Sequence, residues 1–287
     1  MGKGREIKNR MKAVGNIKRI TRTMQMIATS KFAKAQQTAL GPKPYTNALF
    51  DLVGQLSSGE AAHPLLAGAP DPSAPELTLL ITSDRGLCGP YNGSLTRSAI
   101  KHLRDNPGGP VEVVGKKGVG VLKFSGIDVS HHHTQFGDKP EFDDVRRLAD
   151  SFVERFLAGE ISGVRVIYMQ YISAGRQSPD VMRLLPLEPP AGEGDAATSS
   201  ANAVYEFSPS PEELLDALIP AAVRSLLFQC FNDAIVSEHV ARMVAMKSAT
   251  DNAGKMGQRL KRQYNRARQA QITTELTEII SGAAALG

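Results

Sequence analysis

The last third of the chain constrains its architecture most. It opens as Ser210-Pro211-Glu212-Glu213. Ser at the N-cap, Pro at the first helical position and Glu at the third make a strong helix start. The apolar residues then keep a helical rhythm. Leu214 and Leu218 come first, then Val236, Val240 and Met243, then Ala249, Ala253, Met256, Leu260, Tyr264 and Ala267, and finally Ile272, Leu276 and Ile279. Steps of three and four put each set on one face. About seventy helical residues at 1.5 Å each reach roughly 100 Å. No single globular core is that wide, so most of such a helix must lie against something other than its own domain.

The N-terminus offers a second helix. Ile7, Met11, Val14, Ile17, Ile20, Met24 and Ile27 again step by threes and fours. Their mean step is shorter than 3.6, which keeps a stripe facing a partner only with left-handed winding. The steps are irregular, so no long clean heptad is read from them. Two terminal helices enclosing a different middle region point to an antiparallel pair.

Charge is unevenly placed along these ends. Residues 1–34 hold ten Lys/Arg and one acid, Glu6. Residues 255–268 hold six (Lys255, Arg259, Lys261, Arg262, Arg266, Arg268) and no acid. If the helices pair, these charges repel unless acidic groups or phosphates surround them. The basic pair leaves three readings open: a solvated charged face, acidic protein surroundings, or nucleic acid. The last lacks aromatic interleaving and any known reader motif. The basic N-terminus also resembles a transit peptide, but its stripe continues past Ile27 into Phe32 without a cleavage-like break. No secretory signal and no run of eighteen apolar residues is present, so no membrane span is expected. Cys88 and Cys230 form no metal or redox motif, and a reduced compartment is the default.

The middle reads as α/β. The first helix is interrupted at Gly41-Pro42-Lys43-Pro44 and ends near Ser57, and residues 59–75 form a loop. Leu77 to Thr82 is a buried strand running into Ser83-Asp84-Arg85-Gly86-Leu87-Cys88-Gly89. A helix is expected over 92–104, a strand over 111–114, a short helix over 119–124, a third strand over 129–136, a helix over 142–157 and a strand over 164–169. This alternation predicts a mostly parallel, Rossmann-like sheet. Residues 188–203 are a flexible linker by composition, and Tyr205 to Phe207 is a candidate edge strand. The expected domains are an N-terminal shaft helix over 1–57, an α/β domain over 76–207 and a C-terminal shaft helix over 211–287.

Candidate chemistry is sparse. No G-x-x-x-x-G-K-[ST] exists in the chain, and Gly118-Val119-Gly120 is followed by Lys123 where a dinucleotide fingerprint needs glycine. The glycines read as turn residues. His131-His132-His133 alternate across a strand and cannot share one metal, so they read as a solvent-facing tract. No nucleophile sits beside a base, and neither cofactor nor metal is expected.

Both ends and the mid-chain motif resemble one family. Met11 to Lys31 (Met-Lys-Ala-Val-Gly-Asn-Ile-Lys-Arg-Ile-Thr-Arg-Thr-Met-Gln-Met-Ile-Ala-Thr-Ser-Lys) is similar to the opening helix of the γ subunit of F-type ATP synthases. Met246 to Ala253, Tyr264 to Gln269 and Ile272 to Ala283 resemble its closing helix, the last run carrying the family signature. Residues 83–89, with Asp84, Arg85, Gly86 and Cys88, resemble its mid-chain motif.

The resemblance implies a non-catalytic rotor shaft: an antiparallel coiled coil, with Ile17, Ile20, Ile27, Met256, Leu260 and Tyr264 in the coil, inside a ring of α and β subunits. The α/β domain would form the foot, with the ε subunit, on a membrane ring of c subunits. Met24 would lie near acidic β-subunit segments, and Arg268 and Gln269 would contact a β-subunit loop. The implied location is peripheral, on the cytoplasmic side of a bacterial inner membrane, the mitochondrial matrix side being the alternative. Pro220 and the 41–44 stretch depart from the family pattern and predict local kinks. The plant-type regulatory dithiol is absent.

Overall fold

The computed structural model describes residues 2–41, 43–57, 63–187 and 211–284. They fall into two compact units. One combines residues 1–30 with 242–287, and the other runs from Lys31 to Ala241.

The second unit is built on a five-stranded sheet in the order β3-β2-β1-β4-β5. The strands are β1 (Glu76–Ile81), β2 (Val111–Val114), β3 (His131–His133), β4 (Gly163–Ser173) and β5 (Arg176–Leu185). The first four are mutually parallel, and β5 returns antiparallel to β4. β1 and β2 are buried on both faces because helices cover both, as parallel sheets require. On one face, α4 (Tyr91–Asp105) and α5 (Lys116–Phe124) bury Leu95, Ala99 and Leu122 against Leu80, Val113 and Ile167. On the other, Phe152 and Phe156 of α6 (Phe142–Leu157) pack in one core with Leu77, Leu79 and Val166. That α6 starts with Asp143 and Asp144 and ends with Arg155, matching the helix dipole at both ends.

This unit also takes in stretches that the sequence assigns to the shaft. After α1 (Gly2–Leu40) the chain breaks and resumes as α2 (Lys43–Ser57), whose Phe50, Val53 and Leu56 enter the α6-side core. The first thirty-odd residues of α7 (Pro211–Ala284) do the same through Leu215, Ile219, Val223, Leu227 and Phe231. α7 contains a window with mean hydropathy 1.5, apolar enough to cross a membrane. Between Leu215 and Val240 its apolar side chains lie in this protein core. α7 runs through Pro220 without interruption. Between α2 and β1 the described residues form one short further helix, α3 (Pro64–Ala67).

Several expectations need correction. β4 extends to Ser173, and β5 was not foreseen: its Pro179 and alternating polar residues obscure a strand that lies at the sheet edge, where Pro is tolerated. The third strand is three residues long, not eight. Gly118 and Gly120 are helical rather than turn residues. The histidine tract is not solvent-facing throughout: His133 is buried on the α6 side, because strand alternation sends it inward beside Glu112. The linker at 188–203 and the edge strand at 205–207 lie outside the described residues.

In the first unit the helices run antiparallel. Thr250 Oγ1 donates to Thr21 Oγ1 at 2.8 Å. Lys18 lies beside Gly254, and Val14 faces Gly257. As α1 numbers fall, α7 numbers rise. In α1 up to Ser30 the buried and half-buried row is Ile7, Met11, Val14, Thr21, Gln25 and Ala28, with Gly4 and Met24 half-buried beside it. The α7 row includes Met243, Met246, Thr250, Ala253, Gly257, Leu260, Tyr264 and Ala267. With Lys18 added over Gly254, both rows step strictly by four and three, a regular heptad seam. Hydrophobic periodicity captures it in part, through Ile7, Met11, Val14, Met243, Ala253, Leu260, Tyr264 and Ala267, and misses the rest because Lys, Thr, Gln and Gly occupy seam positions. A polar residue at such a position specifies register. Thr21→Val is expected to cost about 1 kcal/mol, the net worth of one hydrogen bond. A double-mutant cycle with Thr250→Val on thermal unfolding checks this, and zero coupling would show that the bond holds nothing.

Candidate functional site

The seam leaves most large apolar residues of this helix pair facing out. Ile17, Ile20, Ile27 and Met256, expected inside the coil, are each more than half exposed. The reason is geometric. They sit one step round the helix from the seam, whose centre is made of small residues that let the backbones approach. Leu260 and Tyr264 do occupy seam positions and are half-buried. Ile272, Leu276, Ile279 and Ile280 continue the outward apolar row towards the end of α7.

Around these apolar residues the surface is cationic. Residues 1–30 and 242–287 contain sixteen Lys/Arg against four acids. One acid is already engaged, since Arg10 bonds Glu6 at 2.6 Å on the same helix face. Exposed apolar side chains in this number mark an interaction surface. The cations prevent two such surfaces from pairing with each other and favour an acidic partner. Met24 is half-buried beside the seam; Arg268 and Gln269 are exposed just beyond Ala267, its last described member. The structure does not gather Met24 with Arg268 and Gln269 into one cluster: the antiparallel register puts Met24 near residue 247 and Arg268 near the start of α1.

The 83–89 motif turns out to be a polar knot at the end of β1. Ser83 Oγ donates to Arg85 O at 2.7 Å, and Asn92 Nδ2 donates to Ser83 Oγ at 2.7 Å and to Cys88 Sγ at 3.2 Å. Cys88 is buried under the turn, while Leu87 adopts a left-handed φ of 64°. The same stretch caps α5 through space. Lys116 N donates to Asp84 Oδ1, Lys117 N to Ser83 O and Gly118 N to Thr82 Oγ1. The first amide groups of α5, which could otherwise face an anion, are thus satisfied by the protein's own oxygens. Arg85 lies 3.9 Å from Asp138, which also accepts from Lys31 at 2.6 Å. The Lys31 hydrogen bond holds the Asp138 carboxyl below its ordinary range. Asp84, Arg85, Gly86 and Cys88 therefore build a turn rather than a reaction centre.

The remaining titratable groups are structural. Burial pushes the Cys230 thiol and the Tyr168 hydroxyl up. Burial would also raise Glu112, but hydrogen bonds from His133 and Arg155 prevail and hold it down. Among the described residues no three metal-ligating side chains converge. The functional feature that the residue patterns alone did not locate is the outward apolar row. Its signal was the spacing of small residues that mark the true seam.

Comparison with known proteins gives one answer. The sequence profile of a family described as ATP synthase matches residues 3–286. An ATP synthase gamma chain from Rhodopirellula baltica is 41% identical over 295 residues, covering 100% of this chain and 99% of the relative. One from Gemmatimonas aurantiaca is 37% identical over 294 residues with the same coverage. Among solved structures, a chain of the Euglena gracilis mitochondrial ATP synthase (OSCP/F1/c-ring, rotational state 3) aligns with a TM-score of 0.66 at 18% identity, covering 99% of this chain and 95% of that one. A chain of the rotor of the same enzyme in rotational state 1 aligns at 0.63 and 18% identity, covering 94% and 99%. These distant structures share the fold of paired terminal helices and a mostly parallel sheet. Identity that runs from end to end, on top of that fold, means that this chain belongs to the family of ATP synthase gamma chains.

Proposed function

We infer that this chain is the central rotor shaft of a rotary F-type ATP synthase and that it carries no catalytic site of its own. One observation supports this most: a two-helix rod whose large apolar side chains face outward within a strongly basic surface. Such a surface suits a collar that is apolar with acidic rims. The ring of α and β subunits is the proposed collar. The sheet unit is the proposed foot, seated with the ε subunit on the c-subunit ring, peripheral to the membrane on its cytoplasmic side. Ion flow through that ring would turn the rod. Because its two helices differ in sequence and end at different heights, each β subunit would meet a different face in turn. Apolar contacts are weakly directional and allow sliding, whereas charge-assisted hydrogen bonds favour particular angles. Met24, near acidic β segments, and Arg268 and Gln269, at a β loop, are the proposed contacts.

The mass of the assembly purified through this chain tests the reading. It should contain the other ATP synthase subunits; salt-sensitive nucleic acid in their place would overturn it. Arg268→Ala with Gln269→Ala should leave the assembly intact and slow ATP turnover several-fold, by removing bonds that fix a dwell angle. Single-molecule rotation checks this, and unchanged dwells would remove the two residues from the mechanism.

A further inference from the structure

The outer face of α5 carries a second surface with no partner among the described residues. Phe124 is 93% exposed, the largest exposure of any bulky apolar side chain in the described residues. Lys117, Gly120, Val121 and Phe124 follow at steps of three, one and three, so they line one stripe. Gly120 sits inside the helix although Gly is the poorest ordinary helix former. Its backbone needs no positive φ, and a Cβ placed on it would meet nothing within 4 Å. Gly118, two residues earlier, is different: its Cβ would strike Thr82 and Val113 at under 3 Å, so the fold itself requires that glycine. Nothing within the chain requires Gly120. A missing side chain beside an exposed Phe is what close approach by an outside backbone needs.

The charge around the stripe selects the partner. The sheet unit holds eighteen Lys/Arg and twenty-five acids. α5 nevertheless carries Lys116, Lys117 and Lys123, all exposed, and no acid. None of the three makes an ion pair among the described residues. We propose that the Gly120–Val121–Phe124 stripe of α5 docks a segment of a different protein subunit, one presenting small or apolar side chains flanked by carboxylates. Phe124 fills a pocket on that segment, Gly120 admits its backbone, and the three lysines meet its acids. This rests on the rotor reading and adds to it a defined contact face on the foot.

The test uses the full chain in its purified complex. A photoreactive benzoylphenylalanine replaces Phe124, and the product is identified by mass. Separately, parental and variant chains are titrated with each purified subunit of the parental complex. Phe124→Ala should weaken one of these pairings at least tenfold, as buried aromatic anchors do. Gly120→Leu should leave the melting temperature of the free chain equal or higher, since space is open and helix propensity improves, yet weaken the same pairing. Changing the three lysines to Gln should flatten its salt dependence. A photoproduct with an acidic peptide of another subunit supports the proposal. A product only with lipid or a second copy of this chain, or variants that bind as the parent does, overturns it. If the parental chain itself joins no ATP synthase subunit, the rotor reading fails and this proposal with it. If the parent assembles and the α5 variants assemble equally well, only the α5 surface is lost.

Discussion

Gly115→Ala should lower the stability of the sheet unit by about 4 kcal/mol, combining backbone strain with overpacking. Gly115 has φ 90° and ψ 137°, a region that residues with a side chain rarely adopt. A Cβ there would lie 2.3 Å from Thr82 O and 2.7 Å from Thr82 C. Neither can retreat easily. Thr82 N donates to Val114 O, and Thr82 Oγ1 bonds that same oxygen and caps Gly118 N. Pushing Thr82 away therefore breaks the end of the β1–β2 ladder and the cap of α5 together. Chemical unfolding of the full chain measures the effect. A loss under about 1 kcal/mol, the ordinary cost of a point mutation, would mean that the turn relaxes freely.

The second large effect is expected at Glu112. Its carboxylate is bonded by His133 Nε2 and by Arg155 Nη1, each at 2.7 Å, with the Glu112 and His133 side chains both 8% exposed. Removing one member of a buried ionic group typically costs ~3–5 kcal/mol. Arg155 is about a third exposed and has Glu160 nearby, so Glu112→Gln should cost less, about 2 kcal/mol. The sign with pH follows from the depressed carboxyl. Its stabilisation is complete above the ordinary glutamate value of 4.5 and is lost as pH falls through the lower value of the folded state. The gap between parent and variant should be widest near neutral pH and close progressively below about pH 4.5. A gap independent of pH would assign the loss to packing instead.

Much of the fold is legible because its signals are local. β1 is a continuous apolar run, α6 has a clean polar face, and Ser210-Pro211-Glu212-Glu213 precedes a helix that starts at Pro211. β5 is illegible because its pairing is set by β4 through a tight Ala174-Gly175 turn, while its own residues are largely polar. His133 was misread because its reason for burial, Glu112, lies twenty-one residues away on another strand. The rod is the instructive case. Counting apolar residues puts Ile17, Ile20 and Ile27 inward, whereas Thr21, Ala28, Thr250 and Gly257 sit between the helices beside the expected Ala253. Hydrophobicity marks what must leave water, and in a rod made to be enclosed much of that lies on the outside. The 83–89 turn is legible from its two glycines after β1, but nothing in its composition says that this stretch caps a helix over thirty residues on.

The partition of charge between the two units has a consequence for the chain before it is assembled. Its formal net charge of +5 is the residue of two opposed surpluses, cationic on the rod and anionic on the sheet unit. A free copy is thus a polyampholyte whose cationic unit attracts the anionic unit of its neighbours. That attraction reaches only about 8 Å at physiological ionic strength, and farther as salt is withdrawn. Because it joins unlike surfaces, each copy keeps a free surface for the next, which favours open chains over dimers. Burial of the rod in its collar removes one pole, and with it the route to such chains.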